Sequence, residues 1–149
     1  MSHRRLQIGA ILTFLTVLPA LLVGAQQQKF RVMPRDLQVL EGSEALLRCE
    51  IYNLAGAVQW TKDGFALGFS QTIPGYPRYS VLGDRAQGVY NLRISNASLE
   101  DDAEYQCQVG PAKFNSAIRA NAKLIVICKY FPLYFWMLIV SHMFPCKHP

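Results

Sequence analysis

Asp101-Asp102-Ala103-Glu104-Tyr105-Gln106-Cys107 is the stretch on which the fold of this chain turns. As a strand it alternates. Ala103, Tyr105 and Cys107 point one way and Glu104 and Gln106 the other, because successive strand side chains face opposite sides. A Tyr two residues before a Cys, after an acidic turn, is the arrangement of a tyrosine corner, whose hydroxyl bonds a nearby backbone carbonyl. Its partners lie upstream. Cys49 sits in the alternating run Ala45, Leu47, Cys49, Ile51, and Trp60 follows eleven residues later. A chance pair of cysteines in some other β-rich fold would leave Trp60 and Tyr105 unexplained.

Outward from that stretch the chain reads as short strands divided by turn chemistry. Residues 30–32 open it, and Pro34 marks a point where a first strand changes sheets, since Pro belongs at edges and bulges. Residues 37–40 continue, and 44–51 and 57–62 follow. In the latter, Val58 and Trp60 face inward and Gln59 and Thr61 outward. Asp63-Gly64 is a tight-turn dipeptide, so the next strand begins at Phe65. Ile73-Pro74-Gly75-Tyr76-Pro77 is too rich in Pro and Gly for a ladder and reads as a shaped loop. Strands over 78–82, 89–94, 105–109 and 118–127 complete the set. No stretch has the 3.6-residue period of a long amphipathic helix. The fold class is all-β, an antiparallel β-sandwich. Asp101 is placed to reach back across the bottom of the sandwich to Arg78, which opens a strand. The alternative is two independent surface charges.

Longer runs carry a closer resemblance: Gly56-Ala57-Val58-Gln59-Trp60-Thr61-Lys62-Asp63-Gly64, then Pro74-Gly75-Tyr76-Pro77-Arg78-Tyr79, then Gln106-Cys107-Gln108-Val109-Gly110-Pro111. They resemble the first immunoglobulin domain of nephrin-type adhesion receptors over about residues 28–126, most closely the insect members sticks-and-stones and hibris. The resemblance implies a V/I-set immunoglobulin sandwich over 26–127. A Cys49–Cys107 disulfide would be packed by Trp60, with Tyr105, Arg78 and Asp101 as structural supports. It also implies cell–cell recognition of a Neph-like immunoglobulin receptor on an opposing cell, with family roles in myoblast fusion, the nephrocyte diaphragm and eye-cell sorting. Homophilic contact is a second option. The family contact uses the sheet carrying residues 57–62, 65–69, 105–109 and 118–127. Projected here, its outward positions are Gln59, Thr61, Gln106 and Gln108, joined by Phe65 and Leu67 or, in the other register, by Ala66 and Gly68.

The residues point the same way by their chemistry. Outward glutamines on neighbouring strands form a face with little charge, and interface cores are depleted of charge. Simple solvation of those glutamines is the alternative. Arg119 and Lys123 form a polar rim. Asn96-Ala97-Ser98 is an N-glycosylation sequon, away from this face.

The two ends differ from the middle. Residues 1–25 read as a secretory signal peptide, with Arg4 and Arg5 leading, an apolar core, and Val23-Gly24-Ala25 as the exit. An N-terminal anchor is the competing reading, disfavoured by Pro19 and the small-residue exit. Secretion places the cysteines where disulfides persist. Residues 128–149 form an apolar tail that matches nothing in the family, which carries many domains, a membrane span and a cytoplasmic tail. It is either a membrane span or foreign, read-through sequence, and its apolar run of ten residues is short for a span. Cys128 and Cys146 either pair or stay free, and Cys146 with His142 and His148 resembles a metal-ligand cluster only loosely, for lack of a fourth well-spaced ligand.

The formal charge of +5 comes largely from these ends. Residues 26–127 hold eleven Lys/Arg and ten Asp/Glu, which gives no nucleic-acid footprint. No hydrolase elbow, zinc-protease helix motif or phosphate-cradling loop is present, so the expectation is a binder and not an enzyme, with no cofactor, no metal and no small-molecule substrate. Three functions fit: an adhesion ectodomain, a short secreted decoy for the same partner, or a truncated fragment without function.

Overall fold

Among residues 26–128, which the computed structural model describes, side-chain alternation lays down ten strands. In chain order they are β1 Lys29–Val32, β2 Leu37–Leu40, β3 Ala45–Leu47, β4 Glu50–Tyr52, β5 Val58–Lys62, β6 Phe65–Gly68, β7 Tyr79–Leu82, β8 Asn91–Ile94, β9 Ala103–Val109 and β10 Ile118–Ile127. One sheet runs β2-β10-β9-β5-β6, a second runs β3-β8-β7, and β1 pairs with β4. The expected signal peptide and the tail from residue 129 onward lie outside the described residues. Cys128, the last described residue, is disulfide-bonded and not a free thiol.

Pro34 does what its chemistry suggests. Before it, β1 pairs antiparallel with β4; after it, β2 joins the other sheet beside β10. That second pairing is parallel, Leu37 opposite Leu124 through Leu40 opposite Ile127, so the sandwich is antiparallel at every strand pair but this one. The run expected as one strand over 44–51 is two. Between β3 and β4 the Cys49 N–H donates to the Asn91 side chain at 2.9 Å, so a side-chain amide replaces a ladder bond there. Alternation survives the break, and Ala45, Leu47, Cys49 and Ile51 are all buried. At the β5–β6 hairpin Asp63 and Gly64 both adopt positive φ, 46° and 82°, the geometry of a two-residue turn matched to strand twist.

The core gathers residues from both sheets around the Cys49–Cys107 disulfide, with Trp60, Tyr105, Leu47, Leu92, Ile94 and Leu124 almost fully buried. Trp60 stands opposite Cys107 in register, and its indole N–H donates to the Tyr90 carbonyl at 2.7 Å. The buried indole therefore leaves no polar atom unpaired.

At the bottom of the sandwich Asp101 is 1% exposed, yet richly bonded. Arg78 grips it with two guanidinium nitrogens, at 2.5 and 3.0 Å. The Tyr79 hydroxyl donates to it at 2.5 Å, and the Ser98 backbone N–H at 2.8 Å. The Tyr105 hydroxyl donates to the Asp101 carbonyl at 2.9 Å, closing the tyrosine corner. Burial pushes the Asp101 carboxyl up, but the bonds from Arg78, Tyr79 and Ser98 outweigh it and hold the group below its ordinary value of 3.8. Burial, then the bond to Asp101, pushes the Tyr79 phenol far up, so it remains a donor.

A carboxyl depressed in the folded state contributes stability that is present above its unfolded value and lost as pH falls through the lower folded one. Resistance to urea should therefore fall below about pH 4 in the native protein. Asp101→Asn should flatten that acid limb. Asp101→Ala should cost about 3 kcal/mol at neutral pH, because it strands a half-buried guanidinium.

Candidate docking face

The outer face of the five-stranded sheet is set by the inner one. Val58, Trp60, Tyr105, Cys107, Val109, Ala122 and Leu124 are buried, so Gln59, Gln106, Gln108, Arg119, Asn121 and Lys123 must point away. In register, Gln59 lies opposite Gln108 and Gln108 opposite Arg119, while Thr61 lies opposite Gln106 and Gln106 opposite Asn121. These rows cross three adjacent strands.

Two expected outward positions differ. Thr61 lies on the outer side by register, but it is only 4% exposed, enclosed between β9 and β6. Leu67 is 5% exposed and belongs to the core. The reason is an irregularity between Trp60 and Thr61 in the β5–β6 pairing, which skips Leu67 on the β6 side. A bulge of this kind re-aims a side chain. Of the alternative register, Ala66 is exposed opposite Thr61. Phe65 is 78% exposed at the hairpin tip, and Phe69, just past β6, is 59% exposed.

The outward amides are joined. Gln59 Nε2 donates to Gln108 Oε1 at 3.3 Å, and Gln108 Nε2 donates to Gln106 Oε1. Gln106 Nε2 donates to Asn121 Oδ1 at 2.5 Å, and Asn121 Nδ2 donates to Glu104 Oε1 at 3.1 Å. Above this row is a depression of about 210 Å³, lined among others by Gln59, Gln108, Phe69, Pro111 and Arg119. Arg119 is exposed, and its side chain makes no hydrogen bond or ion pair with any described residue. Among the described residues no three or more His, Cys, Asp or Glu gather to hold a metal, and no helix is long and apolar enough to cross a membrane.

The loops above the face are tied by a residue that reads from sequence only as a polar lead-in. Gln28 is 4% exposed. Its Nε2 donates to the carbonyls of Gly110 at 2.9 Å and Ser116 at 2.7 Å. Its Oε1 accepts from the N–H groups of Gly56 at 3.1 Å and Ala55 at 3.3 Å. One amide thus holds the segment before β5 against the β9–β10 connection. The two approach so closely that a Cβ on Gly56 would lie 1.9 Å from the Gly110 carbonyl oxygen. Asn96 is exposed on the β8–β9 connection, outside the amide rows, with φ 51°.

Residues 28–110 match the immunoglobulin domain family. Kin of IRRE-like protein 1 of Rattus norvegicus is 44% identical over 120 residues, 80% of this chain but 15% of that protein. Human nephrin is 49% identical over 81 residues, 54% of this chain and 6% of that protein. The irregular chiasm C-roughest protein of Drosophila melanogaster is 43% identical over 86 residues, 58% and 11% of the respective chains. The chain thus spans a small fraction of the length of these relatives. Among solved structures, the first domain of Duf (Kirre) superimposes with a TM-score of 0.66 at 41% identity, covering 69% of this chain and 99% of that one. The two-domain fragment of Rst gives 0.67 at 41% identity, covering 69% and 50%.

Gln28→Ala should remove the partner of two part-buried N–H groups and two carbonyls, destabilising the protein by about 2 kcal/mol. Amide exchange should quicken around residues 55–56 and 110–116, while exchange at the Asp101 corner stays as it was.

Proposed function

The chain belongs to the immunoglobulin domain family, homologous to the Kin of IRRE-like, nephrin and roughest proteins, and from that premise we propose that it is a cell–cell recognition module. Its docking surface is the outer face of the five-stranded sheet, and its partner is a Neph- or nephrin-like immunoglobulin domain on an opposing cell. The observation that carries this reading is the uncharged amide row Gln59, Gln108, Gln106 and Asn121 across three adjacent strands. Uncharged groups desolvate at less cost than ions, and their bonding capacity is recovered on a complementary face. Thr61 backs the row from within the sheet, and Phe65, Ala66 and Phe69 border it. Leu67 acts from the core by holding β6 in place.

The opposite sheet offers a poorer surface. Charged groups on that side pair among themselves, Arg93 on β8 with Glu44 beside β3, and Arg31 and Arg48 with Glu50 at the β1–β4 pair. We place the protein at the cell surface or in the secreted fraction, consistent with the signal-peptide reading of residues 1–25, and the family roles in myoblast fusion, nephrocyte diaphragm and eye-cell sorting are the settings in which to look for it. The similarity extends to both nephrin and the Kin of IRRE-like proteins, so the assignment to the sticks-and-stones and hibris branch is tested by which of the two it binds. A glycan on Asn96 would stand clear of the amide row.

Gln108→Arg should place a second unpaired guanidinium beside Arg119 and abolish binding to relatives' ectodomains, while the melting temperature shifts by less than about 3 °C. Surface plasmon resonance with paired calorimetry reads both. Undiminished binding by the folded variant would remove this face from consideration.

A further inference from the structure

The amide row has a direction, and the direction has a cause. A neutral amide can present either its oxygen or its nitrogen, so a row of amides alone has two equivalent polarities. Glu104 breaks that equivalence. An ionised carboxylate only accepts, so Asn121 must turn its Nδ2 toward Glu104 Oε1. Its Oδ1 then faces Gln106, which must donate. The Gln106 oxygen in turn accepts from Gln108, and the Gln108 oxygen accepts from Gln59. One carboxylate at the edge thus orients four amides across three strands, and each bond in such a chain strengthens the next.

The consequence lies in what is left over. Each amide in the row has one of its two N–H groups uncommitted, and the oxygens of Gln108, Gln106 and Asn121, each accepting one bond, keep a second lone pair, so the amides alone are balanced. Only the Gln59 oxygen receives no bond from a described residue. Beside the row, the Arg119 guanidinium brings five donors and no acceptor, and the Lys123 ammonium three more. Neither side chain has a partner among the described residues. The face is therefore biased toward donors.

We propose, building on the docking face assigned above, that Glu104 is a positioning residue that polarises the row, and that the partner is an immunoglobulin domain presenting oxygens. The partner sets a carboxylate against Arg119 and carbonyl or amide oxygens against Gln108 and Gln106. A second copy of this chain fits less well. It would bring the Arg119 and Lys123 side chains of both copies, which have no partner among the described residues, into the same contact. Like charges placed together at an interface suppress the wrong pairing more than they weaken the right one.

The test uses the full chain against the ectodomains of human nephrin and rat Kin of IRRE-like protein 1, and against itself, in surface plasmon resonance. Glu104→Gln is nearly isosteric but can donate as well as accept, so it releases the polarity. It should weaken binding about tenfold with little change in melting temperature. The side-chain amide ¹H–¹⁵N signals of Gln59, Gln106, Gln108 and Asn121 should shift together, whereas a merely local contact would move Asn121 alone. Arg119→Glu should weaken binding about a hundredfold, and Arg119→Lys should retain most of it. Self-association should be at least about tenfold weaker than binding to the tighter ectodomain. If Gln108→Arg abolishes binding while Glu104→Gln and Arg119→Glu bind as the native chain does, the polarity inference fails and the docking face stands. If the native chain binds neither ectodomain, or Gln108→Arg binds normally, the face is wrong and the inference falls with it.

Discussion

The Cys49–Cys107 disulfide joins the two sheets, and its placement reaches further than the core. Its half-cystines lie 58 residues apart in sequence, a closure that restricts the unfolded chain by about 4 kcal/mol. Cys107 is in β9, between β5 and β10. Because side chains alternate, a sulfur that must point inward at 107 forces 106 and 108 outward. A slip of one residue would exchange the two sets. The bridge therefore fixes which glutamines the protein displays, and Trp60 opposite Cys107 does the same for Gln59 on β5. Core and surface are two readings of one register.

The remaining polar contacts keep that register from loosening at its ends. At the bottom, Arg78, Tyr79 and Tyr105 converge on Asp101, and no buried side-chain polar atom among the described residues lacks a partner. The Pro-Gly-Tyr-Pro-Arg-Tyr loop earns its distinctive sequence here, delivering Arg78 and Tyr79 to the corner. Gly75 takes φ 81° in its turn, and the Tyr76 ring lies 4.9 Å from that of Tyr79. At the top, Gln28 gathers two loops that would otherwise be tethered only by the strands they connect. A sheet with pinned ends can meet another protein without first being ordered, which lowers the entropic cost of association.

Much of this was legible in the residues. The strand alternation, the Asp-Gly hairpin, the sheet change at Pro34, the Cys–Trp–Cys spacing and the Arg78–Asp101 pair all follow from local chemistry that the fold then uses. What escaped depends on relations between strands. Leu67 turns inward because of a bulge in its pairing with β5, and Thr61 is enclosed by its neighbours on both sides; neither is visible in one strand's own pattern. Gln28 sits in a run of three glutamines, and nothing in composition separates it from Gln26 and Gln27. Only proximity to Gly56 and Gly110, more than twenty and eighty residues away, makes it a core residue. Glu104 likewise reads as an ordinary outward carboxylate until Asn121 is brought beside it.

Hydroxyl-radical footprinting of the full chain, free and bound to the ectodomain it prefers, would locate the contact on the molecule itself. Phe65 and Phe69 edge the amide face, while Met33 and Leu46 are exposed at 57% and 43% well away from it. Oxidation should fall at Phe65 and Phe69 on binding and stay unchanged at Met33 and Leu46. Protection of Met33 and Leu46 with Phe65 and Phe69 still reactive would contradict the assignment of the recognition surface to the five-stranded sheet.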